Sequence, residues 1–145
     1  MVKNYISVKM VKAEPCKAWK DFKGHITGDE GYKIYYPDGY VSWCPKDIFE
    51  SQYLELEKEN TISQCDVDNF ISKVEAIKMG DKTTVVQATC KNGFTIIDGS
   101  ACVDPNNFNM EIGKECCMEH IKDKVWKLLG FLLQSAKNGF KERLR

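Results

Sequence analysis

The side chains able to do chemistry in this chain are seven cysteines, two histidines and a few carboxylates, and their spacing assembles no reaction centre. Cys16, Cys44, Cys65, Cys90, Cys102, Cys116 and Cys117 include no Cys-x-x-Cys pair. The adjacent Cys116 and Cys117 would point about 100° apart on a helix, where they cannot easily share one tetrahedral ion. Only His25 and His120 offer imidazole. An odd set of thiols with this spacing reads as reduced cysteine used as small apolar packing, so no metal ligand is assigned. Asp98, Asp104 and Glu111 are the carboxylates that metal-assisted hydrolysis would need, yet Asp104 before Pro105 reads as a helix cap. His120 is the one general base on offer in the C-terminal half, and a lone helical histidine is usually structural. The expectation is no catalytic residue, no cofactor and no enzyme.

Residues that could bind rather than react are gathered in Gly31 to Tyr53, GYKIYYPDGYVSWCPKDIFESQY. Aromatic side chains at strand spacing beside a tight turn build either a small core or a flat-walled ligand cleft. The residue types leave both open.

Two sets of elements must position these groups. Ile6, Val8 and Met10 alternate with polar neighbours, which predicts an opening strand that Pro15 ends. A turn or irregular segment is expected from Cys16 to Gly31, with Trp19 and Phe22 spaced as on one face of a short helix and Gly24, Gly28 and Gly31 as breakers. Strands Tyr32 to Tyr36 and Tyr40 to Trp43 follow, joined by Pro37-Asp38-Gly39, whose proline fixes φ and whose glycine accepts a positive one. Pro45 opens a short helix with Ile48 and Phe49, and Tyr53, Leu54 and Leu56 suggest a last short strand. The polar run Glu55 to Asp68 reads as a connection, which places one unit at residues 1–58 and a second at 59–145.

The second unit is predicted as a short helix begun by Asp66, then strands Val74 to Met79, Thr83 to Cys90 and Phe94 to Ile97. Asn92-Gly93 between apolar runs is a strong hairpin signal, because both residues tolerate positive φ. From about Asn109, Met110, Cys117, Ile121, Val125, Leu128 and Leu132 recur at helical spacing, giving a helix of roughly 28 residues and roughly 40 Å. Trp126, Leu129, Phe131 and Leu133 widen its apolar surface beyond one stripe, an excess suited to another unit or to a second subunit. Asn138-Gly139 stops it before a basic tail, Lys141 to Arg145. The fold class expected is α+β: a small N-terminal antiparallel β unit with short helices, and a C-terminal three-stranded meander plus one long helix.

Composition bounds the function. Lysine plus arginine equal aspartate plus glutamate at 21 each, so no overall field recruits nucleic acid, and 43% apolar with 29% charged residues is the make-up of a folded globular chain. The N-terminus lacks the unbroken apolar run of a signal peptide and no stretch reaches membrane-spanning length, so a cytosolic protein without a membrane partner is expected.

The last half carries a resemblance. Ser100-Ala101-Cys102-Val103-Asp104-Pro105, Asn107-Phe108, Glu111-Ile112-Gly113 and then Trp126, Leu128, Gly130, Leu132 and Leu133 resemble a family of small tailed-phage proteins, named after gene product forty-nine of one phage and gene sixty-six of another. That resemblance implies a phage origin, hence the host cytoplasm, and a small α+β unit, and it brings no established activity. In the first half, Gly39, Trp43, Ile48, Phe49 and Tyr53 are distantly similar to the Thoeris anti-defence type 2 proteins, which sequester cyclic ADP-ribose signals. The similarity implies a nucleotide-type ligand: Trp43 or Tyr40, beside Tyr36, would stack on a base, while Ser42, Lys46 and the N–H groups at the Pro45 helix start would receive phosphate. The function expected is a phage counter-defence protein that sequesters a host nucleotide immune signal as a homo-oligomer assembled through the long helix. The alternative is a phage accessory protein that binds and inhibits a host protein.

Overall fold

The computed structural model describes residues 1–142. The last residues of the basic tail, 143–145, lie outside the described residues. The described residues divide into two compact units, one formed by Met1–Glu55 with residues 135–142, the other by Leu56–Gln134. Each contains one three-stranded antiparallel sheet in sequential strand order, and with a long helix and short ones the fold class is α+β.

In the first unit the strands are β1 (Lys12–Pro15), β2 (Gly31–Tyr35) and β3 (Val41–Pro45), followed by helix α1 (Lys46–Gln52). The alternating residues Ile6, Val8 and Met10 form no strand. Pairing begins only at Lys12, opposite Tyr35, because alternation supplies a face but no partner and β2 offers just enough backbone for residues 12–15. The segment from Cys16 to Glu30 is irregular, as its glycines predict, with Phe22 bridged to His25 and no helix carrying Trp19 and Phe22, and no strand forms at Tyr53 to Leu56. Gly39 takes φ 90° in the β2–β3 turn, as the Pro-Asp-Gly sequence requires.

Both faces of this sheet are covered. Trp43 stacks on Phe22 at 5.1 Å and meets His25 edge-on at 5.6 Å, and its indole N–H donates to the Cys16 carbonyl at 2.8 Å. Gly31 is obligatory beside it, since a Cβ there would strike the Cys44 carbonyl and the Trp43 ring. On the opposite face Ile34 is buried and Tyr32 stacks on Phe49 of α1 at 4.2 Å, with Phe49 stacked in turn on Tyr53 at 4.6 Å. The Tyr32 hydroxyl donates to Glu50 at 2.9 Å, which holds the phenol above its ordinary pKa.

The second unit runs α2 (Gln64–Phe70), β4 (Ile71–Met79), β5 (Thr83–Cys90), β6 (Thr95–Ala101), a 3-10 turn Pro105–Asn107 and α3 (Met110–Asn138). Helix α2 starts earlier than Asp66: Ser63 is its N-cap, and the reciprocal bonds between Ser63 and Asp66 make a capping box. Asp104 caps the 3-10 turn, while Asn109 caps α3, its side-chain Oδ1 accepting from Glu111 N–H at 3.0 Å and Ile112 N–H at 3.2 Å. The core joins Val67, Val86, Ala88 and Cys90 to Cys117, Ile121, Val125 and Leu129, all 2% exposed or less. Burying each branched aliphatic chain of this set contributes about 1.5–3 kcal/mol. Gly113 lets α3 approach β5, since a Cβ there would meet the Thr84 hydroxyl. Gly139, at φ 63°, ends the helix with its N–H donating to the Ser135 carbonyl.

Candidate functional site

Two surfaces hold the chemistry-bearing residues. The first is the aromatic hairpin. Alternation along β3 sends Ser42 and Trp43 to opposite faces of the sheet, so they cannot line one pocket. Trp43, 7% exposed with its ring already stacked, is core. Lys46 stands 3.9 Å from Glu30 and belongs to neither ring cluster. Tyr36, Tyr40 and Ser42 do come together: the two phenol rings lie 5.7 Å apart, the Ser42 hydroxyl is 3.4 Å from the Tyr36 hydroxyl, and Tyr40 is 65% exposed. Lys9, which the sequence did not mark, places its ammonium 5.6 Å from the Tyr36 ring and 5.8 Å from the Tyr53 ring. The Tyr53 hydroxyl, and then its charge, hold Lys9 above its usual pKa. A cation over two half-buried phenols, beside the exposed Tyr40, is a surface that can take a flat or anionic ligand.

The second surface is an open groove of about 430 Å³ between β6 and α3, walled by Phe94, Ile96, Leu128, Lys124 and Lys127. Its apolar side chains are unusually open for such residues, Phe94 54% and Leu128 39% exposed, while Ile97, 59% exposed at the same edge, turns its side chain to the other face of the sheet. At its end an Asp98 carboxylate oxygen accepts from the His120 ring at Nδ1 (2.8 Å) and the other lies 3.9 Å from the Lys124 ammonium. A carboxylate that orients an imidazole is a component of many general bases, but the adjacent thiol is not poised to join it. Cys117 is fully buried, and burial followed by the nearby Asp98 charge pushes that thiol up, keeping it protonated. Asp98, Asp104 and Glu111 do not gather: Asp98 pairs with His120, Asp104 caps the 3-10 turn and Glu111 lies in the first turn of α3. Among the described residues no group of three or more potential ligands surrounds a common point, and no helix is long and apolar enough to cross a membrane. The thiols of Cys44 and Cys90 are likewise pushed up by burial, as packing cysteines should be.

Sequence reasoning reached the excess of apolar surface on α3 but assigned it to Trp126, Leu129, Phe131 and Leu133. Phe131 is open as expected at 70%, Trp126 and Leu133 are half-buried and Leu129 is core at 2%, while Leu128 and Leu132, read as part of the buried stripe, are 39% and 42% exposed. A signal for the groove existed in Phe94, an aromatic placed at the mouth of a hairpin turn.

A small α+β protein whose second unit lays one long helix across a three-stranded meander is the class that this architecture defines. The profile of the Phage protein (N4 Gp49/phage Sf6 gene 66) family matches residues 59–137, more than half of the chain, and the chain belongs to that family. No curated protein and no solved structure matches the chain. The family match starts after the aromatic hairpin, and no comparison links that hairpin to the Thoeris anti-defence type 2 proteins.

Proposed function

We propose that this phage protein acts by binding rather than by catalysis, as an accessory protein that captures and inhibits a host polypeptide in the host cytoplasm. The observation that carries the reading is the groove of the second unit, where Phe94 and Leu128 lie open beside a strand edge that has no partner among the described residues. Apolar side chains gathered in this way, with basic residues at their margin, are the anatomy of a protein-binding patch. The test compares wild type with Phe94→Ser/Leu128→Ser for capture of a host protein and inhibition of its activity. Wild type retains a stoichiometric partner and the double variant loses it. Equal retention by both, with the fold intact by circular dichroism, sinks the reading.

A second reading keeps a nucleotide-type ligand on the hairpin, favoured by the exposed Tyr40 beside Tyr36, whose ring carries Lys9 above it. Trp43 and Lys46 contribute nothing to that version. Incubation with cyclic nucleotides and ADP-ribose derivatives followed by heat release returns intact ligand from wild type and none from Tyr36→Ala/Tyr40→Ala if it holds. No retention by wild type removes it.

A further inference from the structure

The second sheet has two edges, and they differ. β4 carries Lys73, Glu75 and Lys78 and shifts register between Ile71 and Lys73, all of which discourage a further strand. β6, TIIDGSA, carries one charge, and that charge, Asp98, is engaged by His120. The bonds that frame the β5–β6 ladder run from Cys90 N–H to the Phe94 carbonyl and from Cys102 N–H to the Lys82 carbonyl. In this antiparallel register the even-numbered residues of β6 therefore bond to β5, and Thr95, Ile97, Gly99 and Ala101 direct N–H and C=O away from it. None of those outward groups has a partner among the described residues.

The groove runs along this edge, and its charge has one sign. Lys127 forms no ion pair among the described residues, Lys124 reaches Asp98 only at 3.9 Å, and no acidic side chain lines the groove. The geometry points to an extended segment of alternating apolar and acidic residues that adds to β6 as a fourth strand, its backbone bonded to Thr95, Ile97, Gly99 and Ala101 and its carboxylates beside Lys127 and Lys124. Strand addition divides the work of recognition: the backbone bonds supply affinity, and alternate side chains meet the pockets on one face. Successive side chains of the added strand face opposite ways, so its acidic residues face α3, where Lys124 and Lys127 select acidic over basic sequence, and its apolar residues lie beside Ile97 on the other face of the sheet. This inference rests on the capture reading above and adds the chemistry and conformation of what is captured.

The experiment titrates the full chain, isotope-labelled for amide exchange, with a short synthetic peptide of alternating valine and glutamate, and with its counterpart carrying lysine in place of glutamate. The glutamate peptide slows exchange at Ile97 and Gly99 and leaves Ile96 and Asp98, already bonded to β5, unchanged. The lysine peptide binds at least about tenfold more weakly, the factor expected for losing one favourable charge contact. Ile97→Pro removes an outward donor and abolishes binding. Lys127→Glu, a surface change that leaves the fold alone, brings the two peptides to similar affinity or reverses their order. Binding that shifts Phe94 and Leu128 without slowing Ile97 and Gly99 overturns strand addition and leaves the capture reading standing. Protection of those two amides in the free chain, together with a dimer by sedimentation, overturns the occupant, because a second copy then holds the edge. A monomer that binds neither peptide overturns the proposal, while the Phe94→Ser/Leu128→Ser comparison decides the capture reading by itself.

Discussion

The two units solve the same problem, covering a three-stranded antiparallel sheet, with different materials. In the first, strands of four and five residues are covered on both faces by rings: Phe22 over Trp43 on one side, Phe49 over Tyr32 on the other. In the second, strands of seven to nine residues are covered on one face by aliphatic and cysteine side chains of a single helix, and the other face shows Ile77, Met79 and Ile97 to solvent. Large rings bury much surface per residue and so can stabilise a sheet too short for an aliphatic layer. A long helix covers one side only, which leaves an edge and a face for other work. The contrast teaches that the aromatic-rich region, conspicuous as a binding candidate, spends most of its rings on its own stability, whereas the plainer aliphatic unit keeps the open surface.

The contrast can be broken most directly at Trp43. Trp43→Ala removes the centre of one ring layer and costs about 3–5 kcal/mol, read by denaturant unfolding. Amide protection at Ile34 falls while that at Val86 persists; simultaneous loss at both would show that the units unfold as one and that the contrast has no energetic meaning. In the second unit the largest polar effect belongs to Asp66, 4% exposed, whose carboxylate accepts from Glu57 N–H at 2.9 Å and Ser63 N–H at 3.0 Å. Asp66→Ala strands those donors and costs about 1–3 kcal/mol, with protection lost first in α2.

Two helical glycines sharpen the picture of α3. Gly113→Ala gains about 1 kcal/mol of helix propensity but forces a methyl onto Thr84, an overpacking that costs about 1–3 kcal/mol. The net change is destabilising and lowers the melting temperature. Gly130 has open space around it, so Gly130→Ala raises stability by about 0.5–1 kcal/mol. Matching signs in the two melts would refute the close approach of helix to strand. The smallest effect is at Asp68, which the ammonium of Lys122, 3.1 Å away, and then Gln64 hold below its usual pKa. A carboxyl depressed in the folded state adds stability that is present above its unfolded pKa and disappears as pH falls through the folded one. Both partners are well exposed, so the pair contributes only about 0.5 kcal/mol at neutral pH. Asp68→Asn removes it and flattens the acid limb of the stability curve.

Much of this fold is legible in the residues. The helix Met110–Asn138, strand Thr83–Cys90 and the place of the turns at Gly39 and Gly93 follow from period and turn chemistry alone, but at the second turn only Gly93 takes a positive φ and Asn92 does not, because Cys90 and Phe94 close a three-residue loop there. Strand limits are less so. β6 runs on through Asp98, Gly99 and Ser100, polar residues that apolar periodicity ends before, because its pairing with β5 is set by the hairpin register. β1 carries no apolar pattern, all four of its residues being exposed, and exists because β2 presents an edge. The division of Ser42 from Trp43 was in principle readable, since neighbours on a strand face opposite ways. What no local pattern contains is the groove: it depends on which helix residues lie over which strand, and only packing decides that Leu129 is inside while Leu128 and Phe131 are out.

Trp43 carries one more consequence, an optical one. Its indole is shielded from water, stacked on Phe22 and hydrogen-bonded to the Cys16 carbonyl, whereas Trp19 is 46% exposed. With Trp126 replaced by phenylalanine, the emission divides into a blue component from Trp43 that iodide fails to quench and a redder, quenchable one from Trp19. Loss of the blue component then follows the opening of the N-terminal unit in real time, without an attached dye.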